Sequence, residues 1–246
     1  MLIYTLQRLG LSFLICVTSI CLLFSAIHLI PGDPASIMLG SRATPELRAR
    51  LNHELGLDQP LPVQLVSFLG RVARGDLGTD LWSQRPVGTM VAEALPYTLA
   101  LIAAGLGWSA MVGIPLGCYS AIRRNTWADR LMGILSVGTI SIPSFVVAIY
   151  ALLLFAIELD WFPVIGAGED GHLGDQLWHL VLPSLAVGLG WVGYLARLVR
   201  ASMLEVMGEN HVRTARAFGL PETKIILHYA LRIAILPTIT LLALAI

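Results

Sequence analysis

Four apolar stretches limit what this chain can fold into more than anything else in it. They run from Leu9 to Ile30, Tyr97 to Ser120, Leu131 to Ile157 and Leu177 to Val199. A bilayer core takes about 20 helical residues to cross, and each stretch is long enough. In lipid every backbone N–H and C=O must be satisfied within the segment, so such runs fold as helices. The first is preceded by Arg8 and followed by Pro31-Gly32-Asp33-Pro34 rather than a small-residue cleavage site. It therefore reads as a retained membrane helix and not as a signal peptide. Its His28, near the outer end, reads as an interfacial residue. A fifth run opens near Ile233 and reaches Ile246, too short to cross alone; the expectation is that the functional protein continues beyond it. With 56% hydrophobic and 13% charged residues, the fold class is an all-α polytopic membrane protein.

Between the fourth and fifth runs lies a polar island, Ala196 to Arg232. Read at helical pitch, Leu204, Met207, His211, Ala215 and Phe218 share a face. Glu209 and Arg213, four apart, can pair for about 0.3–0.5 kcal/mol. Gly219 supplies a helix stop and Pro221 a restart. The island thus predicts a short helix, a sharp corner and a second helix re-entering apolar sequence. Its charges exclude it from lipid, so it stands in water and faces something.

Residues 31–95 form the other polar region, divided by Pro60, Pro62 and Pro86. Thr44 can cap a helix carrying Leu47, Leu51 and Leu55, and Gln64 to Val72 offers a second one. The second membrane run is rich in Gly and Ala, which permit close helix approach in lipid. The third contains Ser141-Ile142-Pro143-Ser144, where the proline bends the helix and hydroxyls repair the freed backbone. The fourth contains Pro183, with Arg197 and Arg200 placed to snorkel at its end. Ser141, Pro143, Ser144 and Pro183 are the candidates for lining a pathway.

Charge sets the orientation. The short segments around Arg8, Arg123, Arg124 and Arg130, together with the island, hold ten of the 16 basic residues and four of the 16 acidic ones, Asp129, Glu205, Glu209 and Glu222. The positive-inside rule puts them, and the N-terminus, in the cytoplasm. Trp161 and Phe162 mark an outer interface.

His211-Val212-Arg213-Thr214-Ala215-Arg216-Ala217-Phe218-Gly219-Leu220 resembles the cytoplasmic signature loop of ABC-importer permeases, most closely the dipeptide, oligopeptide and nickel branch. Pro31-Gly32-Asp33-Pro34, Leu55 to Pro60, Gly75-Asp76-Leu77-Gly78 and Arg85-Pro86-Val87 are similar to segments of the same family. Where the wider superfamily has Glu-Ala-Ala, this chain has Arg213-Thr214-Ala215, a form normal for that branch, as is the late Leu236-Pro237 pair. The resemblance implies a type I ABC importer permease bundle. Residues 1–30 would be its N-terminal helix, 31–95 a small extracytoplasmic insertion, and 96–246 the permease core with a coupling loop at 200–232. It also implies ATPase coupling by Glu205 and by the ten residues His211 to Leu220, Ala217 excepted.

The implied partners are a homologous second permease, two ATPase subunits, an extracytoplasmic solute-binding protein and the bilayer of the cell inner membrane. ATP and Mg would be bound on the partner subunits and no cofactor by this chain. The implied cargo is small peptides, with nickel chelates, glutathione or another small solute as alternatives.

No GxxxxGK[ST] phosphate loop is present, so the chain carries no ATP cradle of that kind, and no GxSxG or HExxH motif points to a hydrolase. Cys16, Cys21 and Cys118 form no CxxC pair, and His172 and His179 have no third ligand in sequence, so no metal site is expected. An ATP-independent secondary transporter or channel is the competing class. It calls for intramembrane ionisable residues or an internal repeat, and neither is visible.

Overall fold

The structure is a computed structural model describing residues 2–29, 44, 58–80, 83–169 and 171–245, without the side chains of residues 2 and 27–29. The Pro31–Pro34 motif and the helix expected from Thr44 to Leu55 lie outside the described residues, apart from Thr44. The chain divides into two compact units, Met1–Ala94 and Leu95–Ile246.

In the first unit, α1 (Leu2–Leu29) is apolar around its whole circumference and buries none of its described side chains. That is how a helix solvated by lipid looks. α2 (Leu61–Ala73) starts behind Pro60 with Pro62 in its first turn, where a missing N–H costs nothing. Phe24 of α1 stacks on Phe68 of α2, centroids 6.0 Å apart. Beyond α2 the Gly75-Asp76-Leu77-Gly78 segment is a turn. The Asp76 carboxylate accepts from the Gly78 N–H at 2.9 Å, and Thr79 bridges to Pro86. Arg85 holds Glu93 through one guanidinium nitrogen at 2.6 and 2.7 Å. This pair ties the turn to the start of α3 (Val87–Ile122).

α3 begins ten residues before the expected Tyr97 and runs straight through Pro96 and Pro115. An interior proline removes one hydrogen bond without forbidding helical φ, and apolar surroundings leave the backbone no better conformation. α3 and α6 (Leu173–Val206) cross at small residues. A Cβ on Gly117 would sit 2.8 Å from the Val199 Cβ and against the Ala196 carbonyl. Lipid supplies no hydrophobic drive, so close backbone approach and inter-helix hydrogen bonds hold this pair. Trp108 Nε1 donates to the Ser184 carbonyl at 2.8 Å and Ser109 Oγ to the Gly188 carbonyl at 2.8 Å.

The third run is sharply broken rather than gently bent. It is two helices, α4 (Trp127–Ser141) and α5 (Ser144–Ala151, continuing as a π-helix over Leu152–Glu158), meeting at 91°. Ile142 precedes a proline, which forces it out of the helical region to φ −87°, ψ 119°, and Pro143 itself takes ψ 138°. Two extended residues in succession break a helix rather than bend it. α4 lies across α6, in close contact at Gly193, where a Cβ would be 2.6 Å from the Ser136 carbonyl.

The loop between α5 and α6 turns through Asp160, Gly166, Gly168 and Gly171, all at positive φ, and Phe162 stacks on Trp178 at 4.6 Å. After α6 come α7 (Asn210–Ala217), the helical run α8 (Glu222–Ala234) with a π-helical stretch at Ile225–Ala230, and α9 (Leu236–Leu244). α8 and α9 are bent by 41° where Pro237 enters the first turn of α9. The last apolar segment therefore does not start as a new helix at Ile233; it continues one that begins at Glu222. Among the described residues three helices are long and apolar enough to cross a bilayer, or five spans if each bent pair counts as one.

Candidate functional site

The polar island folds as a helix–corner–helix, but not with the expected face. α6 stops at Val206 and the chain turns through Met207, Gly208 and Glu209 before α7 begins. The periodicity from Leu204 to Phe218 assumed an unbroken helix. With the break, Val212 and Ala215 become the inward residues, 0% and 4% exposed, while His211 is exposed and Phe218 is 81% exposed. Val212 and Ala215 join a cluster with Cys118 and Ala121 of α3, Val199 and Met203 of α6, and Ile225 and Ala230 of α8. Burying the Val212 side chain contributes about 1.5–3 kcal/mol to seating α7 on the bundle.

The corner is a Schellman cap. The Gly219 N–H donates to the Arg216 carbonyl at 2.9 Å and the Leu220 N–H to the Ala215 carbonyl at 3.3 Å. Gly219 takes φ +71°, open to glycine at little cost. Leu220 packs back onto the same cluster, and Pro221 caps the next helix. Glu209 and Arg213 form no ion pair. Arg216 instead reaches across the corner to Glu222, Nε to Oε1 at 2.8 Å. That contact holds the Glu222 carboxyl below its usual range and the Arg216 guanidinium above its own.

Of the residues singled out in the sequence, Glu205, His211, Arg213, Thr214, Arg216, Phe218 and Gly219 stand on the exposed side of this element; Val212 and Ala215 face the chain, and Leu220 is half-buried. The exposed set forms a surface with a large aromatic ring at its tip and basic side chains behind it.

The pathway candidates do not stay together. Pro143 and Ser144 line a cavity of about 520 Å³ with Gly190, Trp191, Tyr194 and Leu241. Pro183 belongs to another, of about 350 Å³, with Tyr97, His179 and Gly166. Ser141 lines neither and donates its hydroxyl to the Val137 carbonyl at 2.8 Å.

Sequence reading missed one site altogether. Arg200 does not snorkel: its Nε and Nη2 donate to the two carboxylate oxygens of Asp129 at 2.6 and 2.8 Å. Asp129 also accepts from Ser120 Oγ at 2.5 Å and from the Asn125 N–H at 2.9 Å, and its side chain is only 6% exposed. One carboxylate thus ties the ends of α3, α4 and α6 together, next to where α6 leads into α7. Asn125 is at φ +65°, and Thr126 Oγ1 caps α4 by accepting from the Asp129 N–H. Seventy-one positions separate the partners, so no local spacing marks them.

Broken and tightly crossed apolar helices, a cavity beside the Pro143 break, and a polar helix seated on the bundle through Val212 and Ala215 are the architecture of a helical membrane protein. The comparisons narrow this. The family described as binding-protein-dependent transport system inner membrane component matches residues 113–246, and its N-terminal counterpart matches 1–102. The chain belongs to that family, whose members are permease subunits of ABC importers. It is 38% identical over 245 residues to the glutathione transport system permease proteins GsiC of Salmonella paratyphi A and Salmonella typhimurium, covering 99% of this chain and 78% of each relative. The protein of that name from Escherichia coli O6:H1 is 36% identical over the same coverage. The chain is therefore a multi-pass inner-membrane subunit of an ATP-driven importer, a class that works with a second permease, ATPase subunits and a solute-binding protein.

Proposed function

We propose that this permease imports small peptides, glutathione among them, and that the 205–220 element is its lever. The names of its relatives support the cargo. The observation that carries the lever is the split of α7 into an inward pair, Val212 and Ala215, and an outward Phe218 behind a Schellman corner. A helix bonded to three others through a buried cluster transmits a push instead of absorbing it. Ala215 is inward, so docking on the ATPase falls to His211, Thr214, Phe218 and Gly219, with Arg213 for charge pairing.

In this reading the N-terminus and the α6–α7–α8 corner are cytoplasmic, ATP and Mg are bound on the partner subunits, and this chain hydrolyses nothing itself. ATP-driven closure of the partners biases the bundle between two states, which gives the coupling its physical content. Uptake of labelled glutathione and a labelled dipeptide, measured against labelled nickel in cells carrying the whole transporter, tests the cargo. Peptide uptake is the expected result; nickel uptake without peptide uptake overturns it.

A further inference from the structure

α4 and α6 are in close contact at Gly193, where a Cβ would meet the Ser136 backbone, and again at the Asp129–Arg200 pair. On one side of Gly193 lies the 520 Å³ cavity that includes Ser144, Trp191 and Tyr194. On the other is a cavity of about 510 Å³ with Asp129, Arg130, Arg197 and Arg200 in its wall. A ladder on α6 joins them. The Trp191 and Tyr194 rings meet edge to face, centroids 6.0 Å apart, and the Arg197 guanidinium lies 5.9 Å from the centre of the Tyr194 ring.

The charges along this ladder are not equivalent. Arg200 is matched by Asp129 in a two-oxygen contact. Arg197 is exposed, and among the described residues it makes no ion pair, its guanidinium lying over the Tyr194 ring. Asp129, the one carboxylate among the described residues of that cavity's wall, is taken up by Arg200, so Arg130 and Arg197 leave the wall with an excess of positive charge. An ionisable side chain so placed at the end of a membrane span suits an anion that comes and goes. A guanidinium steadied on an aromatic face keeps its edge donors free, and that edge fits a carboxylate with two parallel hydrogen bonds.

Resting on the peptide reading, we infer that Trp191, Tyr194 and Arg197 form one wall of the solute path, the aromatic rings passing the body of the peptide and Arg197 taking its carboxylate. The complete transporter in proteoliposomes tests this with two dipeptides matched for capture by the binding protein, one ending in a free carboxylate and the other in an amide. Arg197→Gln raises KM for the free acid about tenfold, the loss of one charge-assisted pair, and leaves the amide unchanged. Arg197→Lys keeps part of the preference. The ratio of the two KM values within each variant is independent of how much protein folds.

Equal changes for both peptides, including a joint loss reversed by adding anionic phospholipid, overturn the inference and give Arg197 to a lipid headgroup. No change for either peptide overturns it as well. Wild-type vesicles that take up neither peptide would sink the peptide reading and this wall with it, whereas normal wild-type uptake with an unaltered ratio in Arg197→Gln sinks the wall alone.

Discussion

Replacing Arg200 by Met removes the guanidinium but keeps most of the side chain's length, and it strands the Asp129 carboxylate where only 6% of that side chain meets solvent. Two of four hydrogen bonds disappear; Ser120 Oγ and the Asn125 N–H remain. Breaking a fully buried pair costs about 3–5 kcal/mol. Arg200 is 33% exposed, so water already screens part of this pair. The expected loss is about 2–3 kcal/mol, or a melting temperature lower by roughly 4–12 °C for a chain of this size. Asp129→Leu should cost a similar amount, since it leaves the guanidinium half-buried and unmatched.

The double variant Asp129→Leu/Arg200→Met is the informative one. With both charges gone only the Ser120 hydroxyl and the Asn125 N–H are left without their acceptor, and the double variant recovers at least half of the summed single losses. Thermal denaturation in nanodiscs, followed by size exclusion, reads all four corners of the cycle. Singles that melt within a degree of wild type, or a double whose loss is the sum of the singles, would refute the claim that one carboxylate couples α3, α4 and α6.

A Cβ on Gly219 would meet no atom within 4 Å, so the cost of Gly219→Val lies chiefly in the left-handed backbone, about 1–2 kcal/mol. The subunit should insert and assemble while ATP hydrolysis continues without uptake, read by parallel phosphate-release and uptake assays. Gly117→Leu drives a side chain into Val199 and should abolish accumulation in the membrane, whereas Gly107→Ala, which meets nothing within 4 Å, should not; immunoblots of membrane fractions compare them. Glu222 sits below its ordinary value of 4.5 because Arg216 hydrogen-bonds it. A carboxyl lowered on folding contributes above its unfolded value and loses that contribution as pH falls through the folded one. The contact is therefore intact at neutral pH and fades below about 4.5, and Glu222→Gln should flatten the acid limb of a proteolysis profile of the α7–α8 corner.

Apolar length and the Gly-Leu-Pro corner were enough to foresee spans and a polar helix, because lipid solvation and a positive-φ cap are local demands. The limits of the spans were less legible. The second apolar run starts at Tyr97, yet its helix begins at Val87 with Pro96 in its interior, while Pro143 looked like a bend and is a break. The difference lies in the residue before each proline, helical Leu95 against extended Ile142, and packing decides that conformation. Phe218 was placed on the apolar face because nothing local announces the stop at Val206. The Asp129–Arg200 pair was invisible for a different reason: a contact across 71 positions exists only once α4 has folded back along α6.

The central claim is that α7 converts nucleotide-driven motion of partner subunits into solute movement through this bundle. The most direct measurement is uptake of labelled glutathione by the complete transporter in proteoliposomes, with ionophores collapsing every ion gradient and ATP trapped on the α7 side. The account predicts uptake that requires both ATP and the binding protein, and a Phe218→Asp variant that hydrolyses ATP yet moves nothing. Uptake that persists without ATP and follows an imposed ion gradient would contradict it.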